Sequence, residues 1–436
     1  MNIHAPQSRT SRAVPTLLFF LLCATGGVFS AWGQADVWVP ELPQTHDYVS
    51  NARVLGMGGA YLAVSDDIAA LRYNPAGLAR VQRVEFSGSI SDLGRDIKTT
   101  YYGTAAQSSL TRTRVSELGF VYPFPTYRGS MVIALGYAAP WPLDREYCRR
   151  GTTTGAEPRT IQEDIFEEGQ IGEWSFGYAI DVSPTLSLGF RTSYIQGNRK
   201  QDWVYADPLL ETDIHDVLDV DIDGFTASLG ALTRLGGWGR LGLVIDLPQW
   251  ITLDGTVLDA PFDETYVIDE EMTLPFSVGI GVSAAALPRL LLAADARFTD
   301  WTQIDYDGPM RYYEGDRRQL AYERVWDLHL GAEYLLDVAE LPGLRLRAGF
   351  AYAPVAYRIL LEDLTSDNQG YAAPVYQPAD FDPDRYTVSV GLGVLIEQSM
   401  TIDVAYAHSE FAREGLNLAE DLSEQRILLS ASFRLE

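Results

Sequence analysis

Residues Asn51–Leu78 read NARVLGMGGAYLAVSDDIAALRYNPAGL, the one glycine-rich, non-repetitive motif in a chain otherwise built of alternating segments. Gly56, Gly58 and Gly59 open backbone conformations closed to other residues, which predicts a tight turn. A short helix is expected next, with Ser65 as N-cap and Asp66 and Asp67 at the positive end of its dipole. Ile68, Ala69, Leu71 and Tyr73 supply its apolar side. Pro75 forces Asn74 out of helical geometry and stops it. The stretch reads as the centre of a compact plug spanning residues 36–83, with residues 84–436 as a wall around it.

The wall follows from period-two patterning, because successive strand side chains point to opposite faces. Tyr386, Val388, Val390, Leu392, Val394 and Ile396 share one face, with Thr387, Ser389, Gly391 and Gly393 on the other. The pattern recurs in about fourteen segments, from VEFSGSI at residues 84–90 to the C-terminal stretch at residues 427–435. That even number suits a transmembrane antiparallel β-barrel, an all-β fold. The second face is small or charged, with Gly119, Gly136, Gly177, Gly189, Arg191, Gly230, Asp246, Asp295, Arg297, Asp327, His329, Glu333, Arg345, Arg347 and Asp403. Tyr122, Tyr137, Trp174, Tyr194, Trp326, Tyr352 and Tyr386 sit towards strand ends, as interfacial belts require. Connections alternate in length. Short turns fall at residues 123–129, 183–185, 236–239, 286–289, 337–343 and 397–399. Long links fall at residues 91–117, 138–173, 195–224, 248–275, 299–325, 354–385 and 409–426. One rim of tight turns and one of long loops is the rhythm of such barrels. In hydrocarbon every backbone amide needs an internal partner, and a closed sheet supplies it.

Composition narrows the possibilities. Against 33 Lys and Arg stand 59 Asp and Glu, for a formal charge of −26, so nucleic acid is an unsuitable partner. Residues 1–35 read as a secretory signal peptide: Arg9 and Arg12, the apolar run Leu17–Ala24, then Gly33-Gln34-Ala35 as a cleavage site. The run is well short of the roughly 20 apolar residues a spanning helix needs. Of the cysteines, Cys23 lies in that leader and Cys148 remains, so neither an internal disulfide nor a zinc site is expected.

Asn51-Ala52-Arg53, Leu55 to Ala60, Asp66-Asp67 and Asn74-Pro75-Ala76-Gly77-Leu78, followed at once by a strand, resemble the N-terminal hatch of FadL-type outer-membrane transporters. That family carries long-chain fatty acids and aromatic hydrocarbons. The resemblance implies passive uptake of a hydrophobic small molecule across the outer membrane, with no enzymatic step and no cofactor. It implies a hatch or gate at Gly56, Gly58, Gly59, Asn74, Pro75, Ala76 and Gly77. It further implies a lateral exit into membrane lipid beside the third strand, here near Gly136, Pro140 and Pro142, where proline cannot donate ladder bonds. Asn74 is the leading gate residue because its amide can bond both plug and lumen groups. The acidic outer loops disfavour a carboxylate ligand and leave aromatic or neutral hydrocarbons open. The competing readings are a PorV-type partner of a secretion-machinery protein and a purely structural surface barrel.

Other motifs give less. Gly56-Met57-Gly58-Gly59 is no dinucleotide loop, since Tyr61 stands where glycine is needed. Asp219-Val220-Asp221-Ile222-Asp223-Gly224 opens like a calcium loop, but Gly230 occupies the glutamate position, so an acidic loop feeding a strand is expected. The acidic runs at Glu163, Asp164, Glu167 and Glu168, and at Asp263, Glu264, Asp269, Glu270 and Glu271, are either loose divalent sites or a solvated repelling surface. His408 and Ser409 point to opposite faces and cannot form a nucleophile pair. Asp295, Arg297, Asp327, Glu333, Arg345 and Arg347 either line a path or pair across the lumen and hold the plug, the second being expected for most. Trp141, Trp203, Tyr205, Leu209, Leu210, Trp250, Ile251, Tyr312 and Tyr313 make the outer loops apolar enough to form a capture groove or to pack into a cap.

Overall fold

A computed structural model describes residues 49–153, 158–208, 213–259, 264–307, 318–338, 341–363, 375–378, 384–415 and 418–435. The expected signal peptide at residues 1–35, residues 36–48, Leu209, Leu210, Tyr312 and Tyr313 lie outside them. Fourteen antiparallel strands close into a barrel. They are β1 Glu85–Tyr101, β2 Thr104–Phe124, β3 Met131–Pro142 continued as Arg145–Thr152, β4 Thr160–Asp181, β5 Leu186–Ala206 and β6 Ile214–Leu235. Next come β7 Gly239–Asp246 continued as Gln249–Asp259, β8 Glu264–Leu274 continued as Ser277–Leu287, and β9 Leu290–Asp300 continued as Asp305–Asp307. The last five are β10 Arg324–Val338, β11 Leu341–Tyr352, β12 Tyr386–Ile396, β13 Met400–Gly415 and β14 Leu418–Arg434. Each strand pairs with the next, and β1 pairs with β14 from Glu85↔Arg434 to Tyr101↔Leu418. The ring therefore has no free edge in the membrane. Arg318–Tyr322, Tyr357–Asp363 and Val375–Pro378 form a separate three-stranded sheet in the long connections.

The phase of the pattern sets the faces. Val388, Val390 and Leu392 are exposed while Ser389 is buried, so the apolar face of β12 meets lipid. Its 11 residues are about what a tilted strand needs to span hydrocarbon. Tyr137, Trp174, Tyr194, Phe225 and Trp250 are successive partners across five strands and form a continuous aromatic row. Trp250 thus belongs to the belt and not to an outer-loop groove.

Above that row the pattern changes phase, and here the structure corrects the expected loops. Most of the long links are strand. The first, at residues 91–117, is a β1–β2 hairpin turning at Tyr102 and Gly103, both with positive φ. On β6 the outward residues change from Leu229 and Phe225 to Asp223, Asp221 and Asp219, while Val220 and Ile222 are buried. On β1 they change from Phe86 and Ile90 to Asp92, Asp96 and Lys98, with Leu93 and Ile97 buried. Within lipid the outer face is apolar; above it the outer face meets water and the inner face makes a core. Asp219 to Asp223 are therefore the wet side of a strand, and Asp219 pairs with Lys200 at 2.9 Å. The inner face of the upper wall carries an apolar cluster that includes Trp141, Ile171, Ile195, Ile222, Ile251 and Trp301.

Placing a charge at mid-barrel on the lipid face tests this boundary. Val390→Arg should cost about 2–4 kcal/mol in a urea titration of the protein folded into lipid vesicles. Thr100→Arg, outward-facing but above the aromatic row, should stay within about 0.5 kcal/mol of the parent.

Candidate functional site

Residues 49–83 form an inner segment, nearly all of it buried. It contains α1 Ala52–Gly56, α2 Ala70–Tyr73 and a 3-10 turn at Pro75–Arg80. Two short helices replace the single one expected. The first is capped by Asn51, whose side chain accepts from Arg53 N–H. Ser65 is not an N-cap: its hydroxyl donates to the Tyr61 carbonyl at 2.6 Å. Asp67 accepts from Ala69 N–H at 3.1 Å just ahead of α2, whose own N-cap, Ala69, makes no side-chain cap bond. Gly58 and Gly59 have positive φ, as the turn requires.

So little regular structure leaves many backbone groups without intrahelical partners, and each buried one needs a bond. Wall side chains supply them. Asp295 on β9 accepts from Tyr61 and Leu62 N–H at 2.5 and 2.7 Å. Ser430 on β14 accepts from Ala52 N–H at 2.8 Å. Ser283 on β8 and Arg240 on β7 donate to the carbonyls of Ala63 and Val64 at 3.0 and 2.9 Å. His329 Nδ1–H on β10 donates to the Gly58 carbonyl at 2.8 Å. On β2, Glu117 accepts from Ser50 Oγ and Asn51 Nδ2 at 3.1 and 2.9 Å.

Asn74 is fully buried and bridges segment and wall. Its Nδ2 donates to Leu62 O at 2.8 Å and to Ala231 O on β6 at 3.2 Å, and its Oδ1 accepts from Ala76 N–H at 3.2 Å.

Space for the segment comes from glycine. A Cβ on Gly189 would strike the Pro75–Ala76 backbone, one on Gly230 the Asn74 amide, and one on Gly242 the Leu62 carbonyl. A Cβ on Gly349 would strike the Gly58 nitrogen, and one on Gly56 would come within 3.1 Å of Gly391 Cα. Gly242, Gly331 and Gly349 were not singled out from the sequence; their signal was glycine recurring at inward positions of neighbouring strands. Pro75 and Ala76 lie against Gly189, and Gly77 packs on Ser65.

Charge ties the segment at one more place. Arg53 donates to Tyr61 Oη, Asp66 and Asp67 at 2.8, 2.7 and 3.0 Å, and reaches Glu333 at 3.2 Å. Glu333 also pairs with Arg347 at 2.7 Å, and Arg347 with Asp403 at 2.6 Å. Most of the lumen charges thus pair or hold the segment. Among the acidic runs, Glu163 and Glu167 are committed to Arg149 and Arg199. His408 is half-buried beside Glu410, while Ser409 is buried against Thr387.

The wall breaks next to the start of the segment. β2 and β3 pair from Phe124↔Met131 only as far as Glu117↔Ala138. The β3–β4 register then shifts between Ala138 and Trp141. Arg145–Thr152 turns inward: Arg149 meets Glu420 of β14 at 2.9 Å, and Tyr147 packs with Ile97 and Leu422. The upper half of β2 is left without a ladder partner on that side among the described residues. A crevice there is lined by Val49 and Arg426 from the interior and by Val115, Ser116, Ala139 and Pro142 from the wall, and it also holds the Arg114–Asp144 pair at 2.6 Å. Val115 is exposed on the outer face. Gly136 is not part of the break: it is paired with Gly119 and packs on Leu71.

The fold is that of FadL-type outer-membrane transporters. A FadL homologue of Pseudomonas aeruginosa matches with a TM-score of 0.61 at 16% identity, over 88% of this chain and 98% of that one. The toluene transporter TodX of Pseudomonas putida matches with a TM-score of 0.59 at 17% identity, over 90% and 100%. The toluene transporter TbuX of Ralstonia pickettii matches with a TM-score of 0.57 at 15% identity, over 90% and 100%. No protein-family model matches the chain, and no curated protein matches it in sequence.

Two outcomes follow for the inner segment. Gly349→Val should dislodge it, so that residues 49–83 become rapidly cleaved by protease while the barrel keeps its folded mobility in unheated gels; Gly88→Val, on the lipid side, should change neither. The second concerns pH. Burial alone raises the Asp66 carboxyl, but Arg53 and Arg240 outweigh it and hold its pKa below the ordinary value. A depressed carboxyl stabilises fully above its unfolded pKa of about 3.9 and loses that contribution as pH falls through the lower folded value. Pepsin should therefore trim the segment slowly at about pH 4.5 and faster with each step of pH below about 3.9, and Asp66→Asn should weaken this dependence.

Proposed function

We propose that the chain is an outer-membrane transporter that admits hydrophobic small molecules passively. Residues 36–83 serve as its hatch and the β2–β3 break as its exit into lipid. The observation that carries this reading is the departure of β3 from the ladder at Ala138, beside the point where Ser50 and Asn51 are held by Glu117. The ladder is given up just above Tyr137, at the outer edge of the aromatic row, and unpaired backbone costs several kcal/mol per group wherever lipid reaches it. The crevice at that point is lined by Val49 of the inner segment and by Val115, which is exposed on the outer face of the wall. A molecule entering from the outer apolar cluster would pass the segment and leave sideways without crossing the water beneath.

The fold shared with two toluene transporters supports a hydrophobic cargo. The outward carboxylates of the upper wall repel anions and favour a neutral one. Gating falls to Asn74 with Pro75, Ala76 and Gly77, since releasing the Asn74 bridge to Ala231 frees the 3-10 turn from β6. Gly58 and Gly59 supply the turn against β10 and β11, and Gly56 the close approach to β12. Export through residues 1–35 places the barrel in the outer membrane of a Gram-negative cell.

Closing the exit tests this. In a Cys148→Ser background, Ser116→Cys with Ala139→Cys, bridged by a short bifunctional thiol reagent, should bring toluene entry into proteoliposomes down to the protein-free rate. Leu118→Cys with Tyr137→Cys, which are ladder partners, should leave entry unchanged when bridged. Full bridging at Ser116 and Ala139 with undiminished entry would refute the lateral route.

A further inference from the structure

Between the inner segment and the outer apolar cluster lies a cavity of about 40 Å³. Its lining includes Tyr73, Trp141, Glu173, Arg191, Gln249 and Arg297. An apolar cavity that binds benzene is about 150 Å³, so this one has room for a polar group and not for a ring.

Its chemistry is unusual for a chain that handles hydrocarbons. Among the described residues, four buried polar atoms of the lining have no hydrogen-bond partner: Tyr73 Oη, Trp141 Nε1, Arg191 Nε and Gln249 Oε1. All four side chains are more than nine-tenths buried. Asp295 Oδ1 is also unpartnered but is turned towards Gly281 in the wall. Leaving buried donors and acceptors unpaired is costly, about 1–3 kcal/mol each, so a site that keeps four together is shaped for an occupant.

Charge and valence say which occupant. Glu173 pairs with Arg72 at 3.2 Å and with Arg191 at 3.1 Å, and Asp246 pairs with Arg297. Each guanidinium group of the lining is thus already paired, Arg72 and Arg191 with Glu173 and Arg297 with Asp246, so none is left over for an anion. Burial pushes the Tyr73 hydroxyl up to about 12, so it keeps its proton at neutral pH. The open valences are then three donors, from Trp141, Arg191 and Tyr73, and one acceptor on Gln249. A hydroxyl, with one donor and two lone pairs, answers the Gln249 acceptor and two of the three donors. A bare hydrocarbon answers neither, and a carboxylate leaves Gln249 unanswered.

We propose that this cavity is the head-group site for a neutral hydroxylated hydrophobic molecule, an alcohol or a phenol, held by Gln249 and by two of the three donors on Trp141, Arg191 and Tyr73. Trp141 belongs both to the cavity lining and to the apolar cluster above it, so the apolar body lies on that side. This rests on the uptake reading and adds the chemistry of the cargo to it.

Toluene, p-cresol and p-toluate share one ring and differ only in the head. Their binding to the full-length protein in detergent is measured by calorimetry, corrected for micelle partitioning, alongside their entry into proteoliposomes. The expected result is p-cresol binding about tenfold tighter than either of the others. Gln249→Leu and Trp141→Phe should each bring the p-cresol to toluene ratio close to one. Equal binding of p-cresol and toluene would overturn the proposal and leave the cavity to water alone, and tightest binding of p-toluate would overturn it in favour of an anion site. A preference that survives both variants would also overturn it, because the named groups would not be its source. If toluene enters without any head preference, only the head-group site falls. If none of the three binds or enters, the uptake reading falls with it.

Discussion

Closure of the hydrogen-bond ladder is the constraint on which the rest of the molecule depends. In hydrocarbon no water can satisfy an open amide, so the sheet must return to its start, and β14 does so by pairing with β1 along its whole length. A ring of fourteen strands leaves an interior that side chains from the wall alone do not fill. The chain fills it with its own N-terminal residues. That solution creates a second demand, because the inner segment brings many backbone groups and little helix to pair them.

The wall meets this demand by two devices on its inner face. Polar side chains take the segment's amides and carbonyls one at a time, as Asp295, Ser430, Ser283, Arg240 and His329 do. Glycine gives up the space of a side chain wherever backbone meets backbone, as at Gly189 and Gly349. Buried ion pairs such as Arg53 with Asp66 and Glu333 add more to placement than to net stability, since desolvation offsets much of their attraction. The interior is therefore layered: a bonded segment at membrane depth, a small polar cavity above it, and an apolar cluster towards the outer rim.

The barrel was legible in the sequence because membrane strands impose one pattern that lipid enforces. Tyr386 to Ile396 shows it without ambiguity, and all fourteen segments found by alternation are strands. The extent of those strands was not legible. Above the aromatic row the apolar face turns inward, so Asp219 to Asp223 and Asp92 to Lys98 look like polar loops to any reading that follows one phase. The helix positions around Ser65 were misread for a related reason: inside a barrel every side of a short helix is buried, so amphipathic spacing carries no information there. Asn74 was legible because a side chain with two donors and one acceptor before proline suits a bridge between two backbones. The break at Ala138 was placed nearby by Pro140 and Pro142, yet Gly136 belongs to the fit around Leu71, which only tertiary contact reveals.

The central claim is that the interior of the barrel is blocked by residues of its own N-terminus. Ion conductance of single proteins in a planar lipid bilayer tests it most directly. The intact protein should pass no steady current, and a variant lacking residues 49–83 should pass one comparable to an open pore. A steady current through the intact protein, unchanged by that deletion, would contradict the account.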